Sequence, residues 1–256
     1  MSRAEREEAI LQLMRENDGF VTVKQLCSKL YTSESNIRRD LGRMVQYGQV
    51  KRVHGGAQLV GSASTSPSFS LRIRSNAKAK YAMAQKAITL VKEDDIIFLD
   101  QSSSSFYVAE ALMTLQKIPL DSLTVVTNNL EIQRLLSGSN INLISSGGIL
   151  SRRDRNCLLG SDACRVFDSI YANILFFTTH SISRDGIISD NIDLDEVTVR
   201  NAMLRNAKKK VFLCDSLKYD RRSPYKQCLL KDVDVLISDV SPEGLVDLEN
   251  LNTQVL

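Results

Sequence analysis

The feature that most limits the fold is an alternation running through the last two-thirds of the chain. Short apolar runs stand at residues 96–99, 123–127, 141–145, 174–177, 211–214 and 233–238. Stretches of helical periodicity lie between several of them, notably 106–115, 130–137 and 195–207. Runs of strand length that are apolar throughout suit strands buried on both faces. Strands that alternate with helices pair in parallel, because a parallel pair needs a long crossover. Residues 79–256 are therefore expected to form a Rossmann-like, mainly parallel α/β domain. In such a sheet, ligands bind beyond the carboxyl ends of the strands.

The residues just beyond each run are therefore informative. The first run leads into Asp100-Gln101-Ser102-Ser103-Ser104-Ser105 and a helix, the second into Thr127-Asn128-Asn129, the third into Ser145-Ser146-Gly147-Gly148, and the fifth into Asp215-Ser216-Leu217-Lys218. The serine run is the best anion candidate, since backbone N–H groups at a helix start favour negative charge and hydroxyls add donors. Its bland alternative is a set of helix caps. No Gly-x-x-x-x-Gly-Lys-Ser/Thr is present, which excludes a nucleotide P-loop. Gly147 and Gly148 either let backbone approach a ligand or make a tight turn. Lys218 or Arg152 could balance a phosphate charge, and Asp100 and Asp215 could accept hydrogen bonds from sugar hydroxyls.

The first eighty residues differ in charge. They hold 14 Lys+Arg against 7 Asp+Glu, a balance of +7, whereas the remainder holds 19 against 23, a balance of −4. A basic head on an acidic body suits a polyanion partner. A helix is expected over 2–16 and stops at Asp18-Gly19, and residues 20–23 make a short connector. Thr22 can cap a second helix carrying Leu26, Cys27 and Leu30, and after a turn at Tyr31-Thr32, Ser33 can cap a third over 34–47. On that helix Ile37, Leu41 and Met44 share one face, while Arg38, Arg39 and Arg43 fall off it. This is a helix-turn-helix pattern, which would set Ser35, Asn36, Arg38 and Arg39 at base edges in the major groove, with Ser33 and Arg43 as further DNA contacts. Asp40 reads as a solvated charge in preference to a guanidinium partner. Gln49–Val53 and 57–60 flank His54-Gly55-Gly56, a hairpin signal. Behind a helix-turn-helix it is a wing, with Lys51 and Arg52 toward phosphate or the minor groove. His54 is either a local turn residue or a further contact.

The expected organisation is a winged helix-turn-helix domain over 1–60, a linker over 61–78 and the α/β domain over 79–256. Residues 61–70 are small and polar. Arg72, Arg74, Lys78 and Lys80 then lead into a helix over 78–91, as phosphate contacts, interdomain partners or a solvated helix start. Apolar residues at 43% and charged residues at 25% fit a globular chain. No apolar run reaches membrane-spanning length, and the charged N-terminus is unlike a signal peptide, so a cytoplasmic protein with no membrane partner is expected. Five scattered cysteines without Cys-x-x-Cys and only two histidines argue against a disulfide framework, a metal site or a cofactor.

Ser33-x-x-Asn36-Ile37-Arg38-Arg39-Asp40-Leu41, then Gly48, then Arg52-x-His54-Gly55-Gly56-Ala57, resembles the N-terminal signature of DeoR-type transcriptional regulators. The family pattern has Val where Thr32 stands and Thr where Asn36 stands, the second at a position that can read bases. The body resembles the family's sensor domain, similar in fold to ribose-5-phosphate isomerase and glucosamine-6-phosphate deaminase. Its pattern falls on Asp100 with Ser102 to Ser105, Thr127-Asn128, Gly147-Gly148 with Arg152 and Arg153, Gly160, and Asp215-Ser216 with Lys218. The resemblance implies an operator-binding regulator, a repressor in the first instance, whose effector is a phosphorylated sugar or related metabolite. One small head reads DNA weakly, so a homodimer or homotetramer on repeated half-sites is expected. Two departures stand out: serine replaces the usual glycine of the first loop, and 178–187 carries bulkier groups with His180. Two other readings remain at this point: a sugar-phosphate enzyme, or a DNA-binding regulator without an effector.

Overall fold

The computed structural model describes residues 3–17, 19–53, 55–59, 69–191, 193–248 and 251–256. The chain divides between residues 68 and 69 into two compact units. His54 and residues 60–68, where a wing contact and the heart of a linker are expected, lie outside the described residues.

The smaller unit runs α1 (Arg3–Glu16), β1 (Phe20–Thr22), α2 (Val23–Leu30), α3 (Glu34–Gln46), β2 (Val50–Val53) and β3 (Gly56–Leu59). Ile10 and Met14 of α1, Leu26 of α2, and Ile37, Leu41 and Met44 of α3 close one core with Val21, Val50 and Ala57. Thr22 and Gln25 cap each other reciprocally, Gln25 N donating to Thr22 Oγ1 at 3.1 Å and Thr22 N to Gln25 Oε1 at 2.9 Å. Tyr31 ends α2 in the left-handed region at φ 48°, and Ser33 caps α3. Residues 20–22, expected as a connector, form an edge strand in a sheet of order β1-β3-β2, antiparallel throughout. The close approach needs Gly56, where a Cβ would lie 2.2 Å from the Val21 carbonyl oxygen.

The larger unit opens with α4 (Phe69–Arg74) and α5 (Ala77–Ile88), so residues 69–78, expected in the linker, are helical apart from the turn at 75–76 and belong to this unit. The reason is tertiary: Phe69 is buried and packs edge-on against Phe106 at 5.9 Å. Next along the chain are β4 (Ile96–Leu99), α6 (Ser103–Leu112), β5 (Thr124–Thr127), α7 (Leu130–Leu136), β6 (Asn142–Ser145), β7 (Ile149–Leu150), β8 (Leu158–Leu159), α8 (Ser161–Asp168) and β9 (Ala172–Phe177). Then come β10 (Ser181–Ile182), β11 (Ile187–Asp190), α9 (Leu194–Arg205), β12 (Ala207–Cys214), β13 (Tyr225–Leu229), β14 (Val235–Ser238) and β15 (Gln254–Val255).

Seven strands in the order β15-β14-β12-β9-β4-β5-β6 form the main sheet, with every pairing parallel. Successive residues face opposite layers. Phe98, Leu175 and Phe212 pack with Phe167 of α8 and Met203 of α9, while Ile97, Leu99 and Phe176 pack with Met83 of α5 and Leu112 of α6. From central β4 the chain moves out through β5 and β6, then crosses to β9 on the other side of β4. The carboxyl ends of β4 and β9 therefore flank the topological switch point, where this architecture opens a crevice. A small antiparallel sheet, β10-β11-β13, lies outside the main one.

Candidate functional site

At the switch point the first group beyond β4 is Asp100, fully buried. Its Oδ1 accepts from Ser102 N at 3.1 Å and Ser105 Oγ at 2.6 Å, and its Oδ2 from Thr178 N at 3.1 Å and Arg200 Nε at 3.3 Å. Four donors leave this carboxylate no spare capacity for a sugar, so Asp100 braces β4 against β9. Ser105 Oγ also lies 3.2 Å from the Phe176 carbonyl oxygen and is part of that brace. Arg200 of α9 is buried too, its Nη1 donating to Asp190 at 3.0 Å and Gln227 at 2.7 Å. Burial lowers the pKa of this guanidinium, but Asp190 and Asp100 together hold it above the ordinary value.

Above this network lies a cavity of about 80 Å³. Gln101, Ser102 and Ser103 line it from the start of α6, Thr178, Thr179 and His180 from beyond β9, and Asp190, Glu196 and Arg200 from β11 and α9, with Lys218 and Arg72 completing the wall. Ser103 and Ser104 supply the first backbone N–H groups of α6, which no helix can satisfy internally. Lys218 donates to the Thr179 carbonyl and stands 3.9 Å from Asp215. His180 is exposed at the rim; desolvation of its ring and then the Lys218 charge lower its pKa. Glu196 is fully buried, and burial, against the pull of Arg200, raises its carboxyl to about 7. Gln101 Nε2 donates to Glu196 Oε2 at 2.8 Å, yet Glu196 Oε1 and Gln101 Oε1 are buried with no hydrogen-bond partner among the described residues.

Of the residues expected to hold an effector, the structure brings Ser102, Ser103 and Lys218 to this cavity. The rest lie elsewhere. Ser104 and Ser105 are buried in α6, and Asn128 donates to the Leu158 carbonyl at 3.1 Å. Gly148, at φ 104°, permits a close approach, since a Cβ there would stand 2.4 Å from the Leu159 carbonyl oxygen; Gly147, at φ 60°, turns the chain. Arg152 is exposed between β7 and β8. Asp215 caps the turn Ser216–Lys218, accepting from Leu217 N at 3.1 Å. The sequence reading missed Gln101, Glu196 and Arg200 and assigned Arg72 elsewhere. Glu196 and Arg200 are four apart on a helix, which from sequence describes a solvated ion pair equally well.

In the smaller unit, α3 presents Ser35, Arg38 and Arg39 on its exposed side. Ser33 Oγ accepts from Asn36 N at 3.4 Å, and Asn36 Nδ2 reaches Thr32 Oγ1 at 3.3 Å. Arg38 pairs with Glu34 at 2.6 Å, an exposed pair that a phosphate or base can displace at small cost. Arg39 is exposed and has no ion-pair partner among the described residues. Lys51 and Arg52 are exposed on β2, Arg52 donating to the Arg38 carbonyl at 2.8 Å. Arg43, expected among the DNA contacts, is instead tied to Glu7 at 3.1 Å and to Asp40. Asp40 is not the solvated charge of the sequence reading: it is buried between Arg43 and Arg6, fastening α3 to α1.

The family model of the DeoR-like helix-turn-helix domain matches residues 6–63, and that of the DeoR C terminal sensor domain matches residues 75–240. The chain belongs to the DeoR family of transcriptional regulators. It is 32% identical over 240 residues to the HTH-type transcriptional regulator YgbI of Escherichia coli, covering 93% of this chain and 91% of that one. It is 31% identical to the L-fucose operon activator of Haemophilus influenzae, covering 94% of each, and 28% identical to the lactose phosphotransferase system repressor of Lactococcus lactis, covering 99% and 98%. Membership makes this chain a DNA-binding regulator built on the winged helix-turn-helix and α/β units described above. No described helix is long and apolar enough to cross a membrane.

Proposed function

We propose that this protein represses a carbohydrate operon and that a phosphorylated sugar, or a related metabolite, entering the switch-point cavity relieves the repression. The carrying observation is the cavity's polarity. Lys218 and the first N–H groups of α6 supply positive potential for a phosphate. At the buried end, Glu196 Oε1 and Gln101 Oε1 are acceptors without hydrogen-bond partners among the described residues, a costly arrangement that sugar hydroxyls would relieve. At about 80 Å³ the cavity is smaller than the roughly 300 Å³ of an ordinary ligand pocket, so an occupant must widen it. That need supports a coupled conformational change, since an effector acts only by favouring one arrangement over another. Relatives bearing the names of L-fucose and lactose regulators support a carbohydrate operon.

On the DNA side, Arg38, Arg39, Asn36 and Ser35 read base edges, Ser33 fixes the helix start, and Lys51 and Arg52 hold phosphates. His54 is a further candidate. A homodimer or homotetramer would place recognition helices on repeated half-sites. The test is fluorescence anisotropy on DNA from upstream of the protein's own gene, against scrambled DNA, with and without a panel of sugar phosphates. Specific, salt-sensitive binding released by one phosphate ester is expected. Arg39→Ala should weaken specific binding by about 1–3 kcal/mol if Arg39 reads a base. Lys218→Ala should abolish the effector response while operator affinity holds. Specific binding indifferent to the whole panel would sink the effector assignment, and equal binding to scrambled DNA would sink the operator assignment.

A further inference from the structure

We propose that Arg72 is a ligand of the effector's anionic group, and that its transfer from Asp154 to that anion carries the signal from the cavity to the chain segment joining the two units. The inference rests on the reading of the cavity given above. Helix α4 is the first element of the larger unit, so the chain coming from the DNA-binding unit enters through it. Arg72 sits on α4 and lines the cavity, where its guanidinium bonds the Asp154 carboxylate. Asp154 is itself held in place, its Oδ1 accepting from Asn156 N at 3.2 Å.

Other fastenings of α4 lead back to the same frame. Phe69 packs on Phe106, and Tyr107 Oη donates to the Ile73 carbonyl at 3.2 Å; both partners belong to α6, whose first turn forms the cavity wall. The Lys80 ammonium donates to the Arg72 and Ser75 carbonyls. Burial, then the Lys218 charge, lowers the Lys80 pKa to about 8 against the opposing pull of Asp215, so Lys80, Lys218 and Arg72 lie within electrostatic reach of one another. An anion beside Lys218 stands within reach of this cation group and competes with Asp154 for Arg72. Because the cavity is too small for a sugar phosphate, moving Arg72 admits the ligand and shifts α4 in one event.

The test is amide hydrogen exchange on the full-length protein, titrated with inorganic phosphate against chloride at equal ionic strength. In the wild type, phosphate should change exchange over residues 69–76 as well as in the first turn of α6. Lys218→Met should abolish both effects. Asp154→Asn keeps the Oδ1 acceptor but removes the competitor for Arg72, so the half-saturating phosphate concentration should fall about tenfold. A merely structural role for the pair would leave phosphate affinity unchanged or weaken it, and either result overturns the inference. Phosphate effects in α6 and residues 215–218 with α4 unmoved overturn it while the effector reading stands. No phosphate effect anywhere in the wild type removes both.

Discussion

Single side chains here divide into those that read something and those that hold the readers still. Asp40 belongs to the second kind, although its neighbours on α3 belong to the first. It is buried under Arg6 and Arg43, so Asp40→Ala strips two guanidinium groups of one carboxylate. The change should lower the stability of the DNA-binding unit by about 2 kcal/mol, measured by urea denaturation. Glu196 makes a prediction of opposite flavour. Burial raises its pKa from 4.5 to about 7, so the folded state binds the proton more tightly than the unfolded chain does. Stability of the larger unit should therefore fall as pH rises from about 4.5 to about 7 and stay low above that. Glu196→Gln should flatten this slope and stabilise the unit at pH 8 by on the order of 2 kcal/mol. An identical pH dependence in wild type and variant would refute the assignment. None of this was legible beforehand, because sequence shows a carboxylate's presence but not its burial.

Elements were legible wherever local chemistry and hydrophobic period agreed. The Thr22 and Ser33 caps and the Ile37-Leu41-Met44 face mark α2 and α3 before any tertiary contact is known. Ser33→Ala should cost about 1 kcal/mol and fray the start of the recognition helix. Gly56 shows the opposite case. Its requirement comes from β1, more than thirty residues away, whose Val21 carbonyl leaves no space for a methyl group. Gly56→Ala should destabilise the smaller unit by about 1–3 kcal/mol through loss of the β1–β3 pairing, which thermal melting would register. The sheet β10-β11-β13 escaped sequence reading for a definite reason. Its inward face is partly polar, with Ser181 Oγ lying 3.0 Å from Ser189 Oγ and donating to Ser223 Oγ at 2.7 Å, so apolar alternation gives no signal.

At the scale of the whole molecule, two hydrophobic systems share no residue: one closes the three helices and wing strands, the other coats both faces of the seven-stranded sheet. Each unit therefore has the means to fold on its own. Residues 69–256 expressed alone should melt cooperatively and bind no operator, whereas starting the same fragment at residue 79 should destabilise it by removing Phe69 from Phe106 and Arg72 from Asp154. Calorimetry on the two fragments checks this; equal melting temperatures would show that α4 contributes nothing. The charge asymmetry acts at this scale as well, and operator affinity should fall steeply with salt as phosphate contacts release counterions.

By itself the sequence determined the two-part plan, the helix-turn-helix, the parallel sheet and the strand ends where polar groups gather. These arise from periodicity, capping and turn chemistry, all of which act between near neighbours along the chain. Only the tertiary structure decided which polar groups face a shared cavity and which are consumed in holding the sheet together. Asp100 and Ser105 became a brace, while Arg72, Gln101, Glu196 and Arg200 became walls, because crossovers bring together residues a hundred positions apart and more. Burial then sets the charge state and the hydrogen-bond needs of each of them.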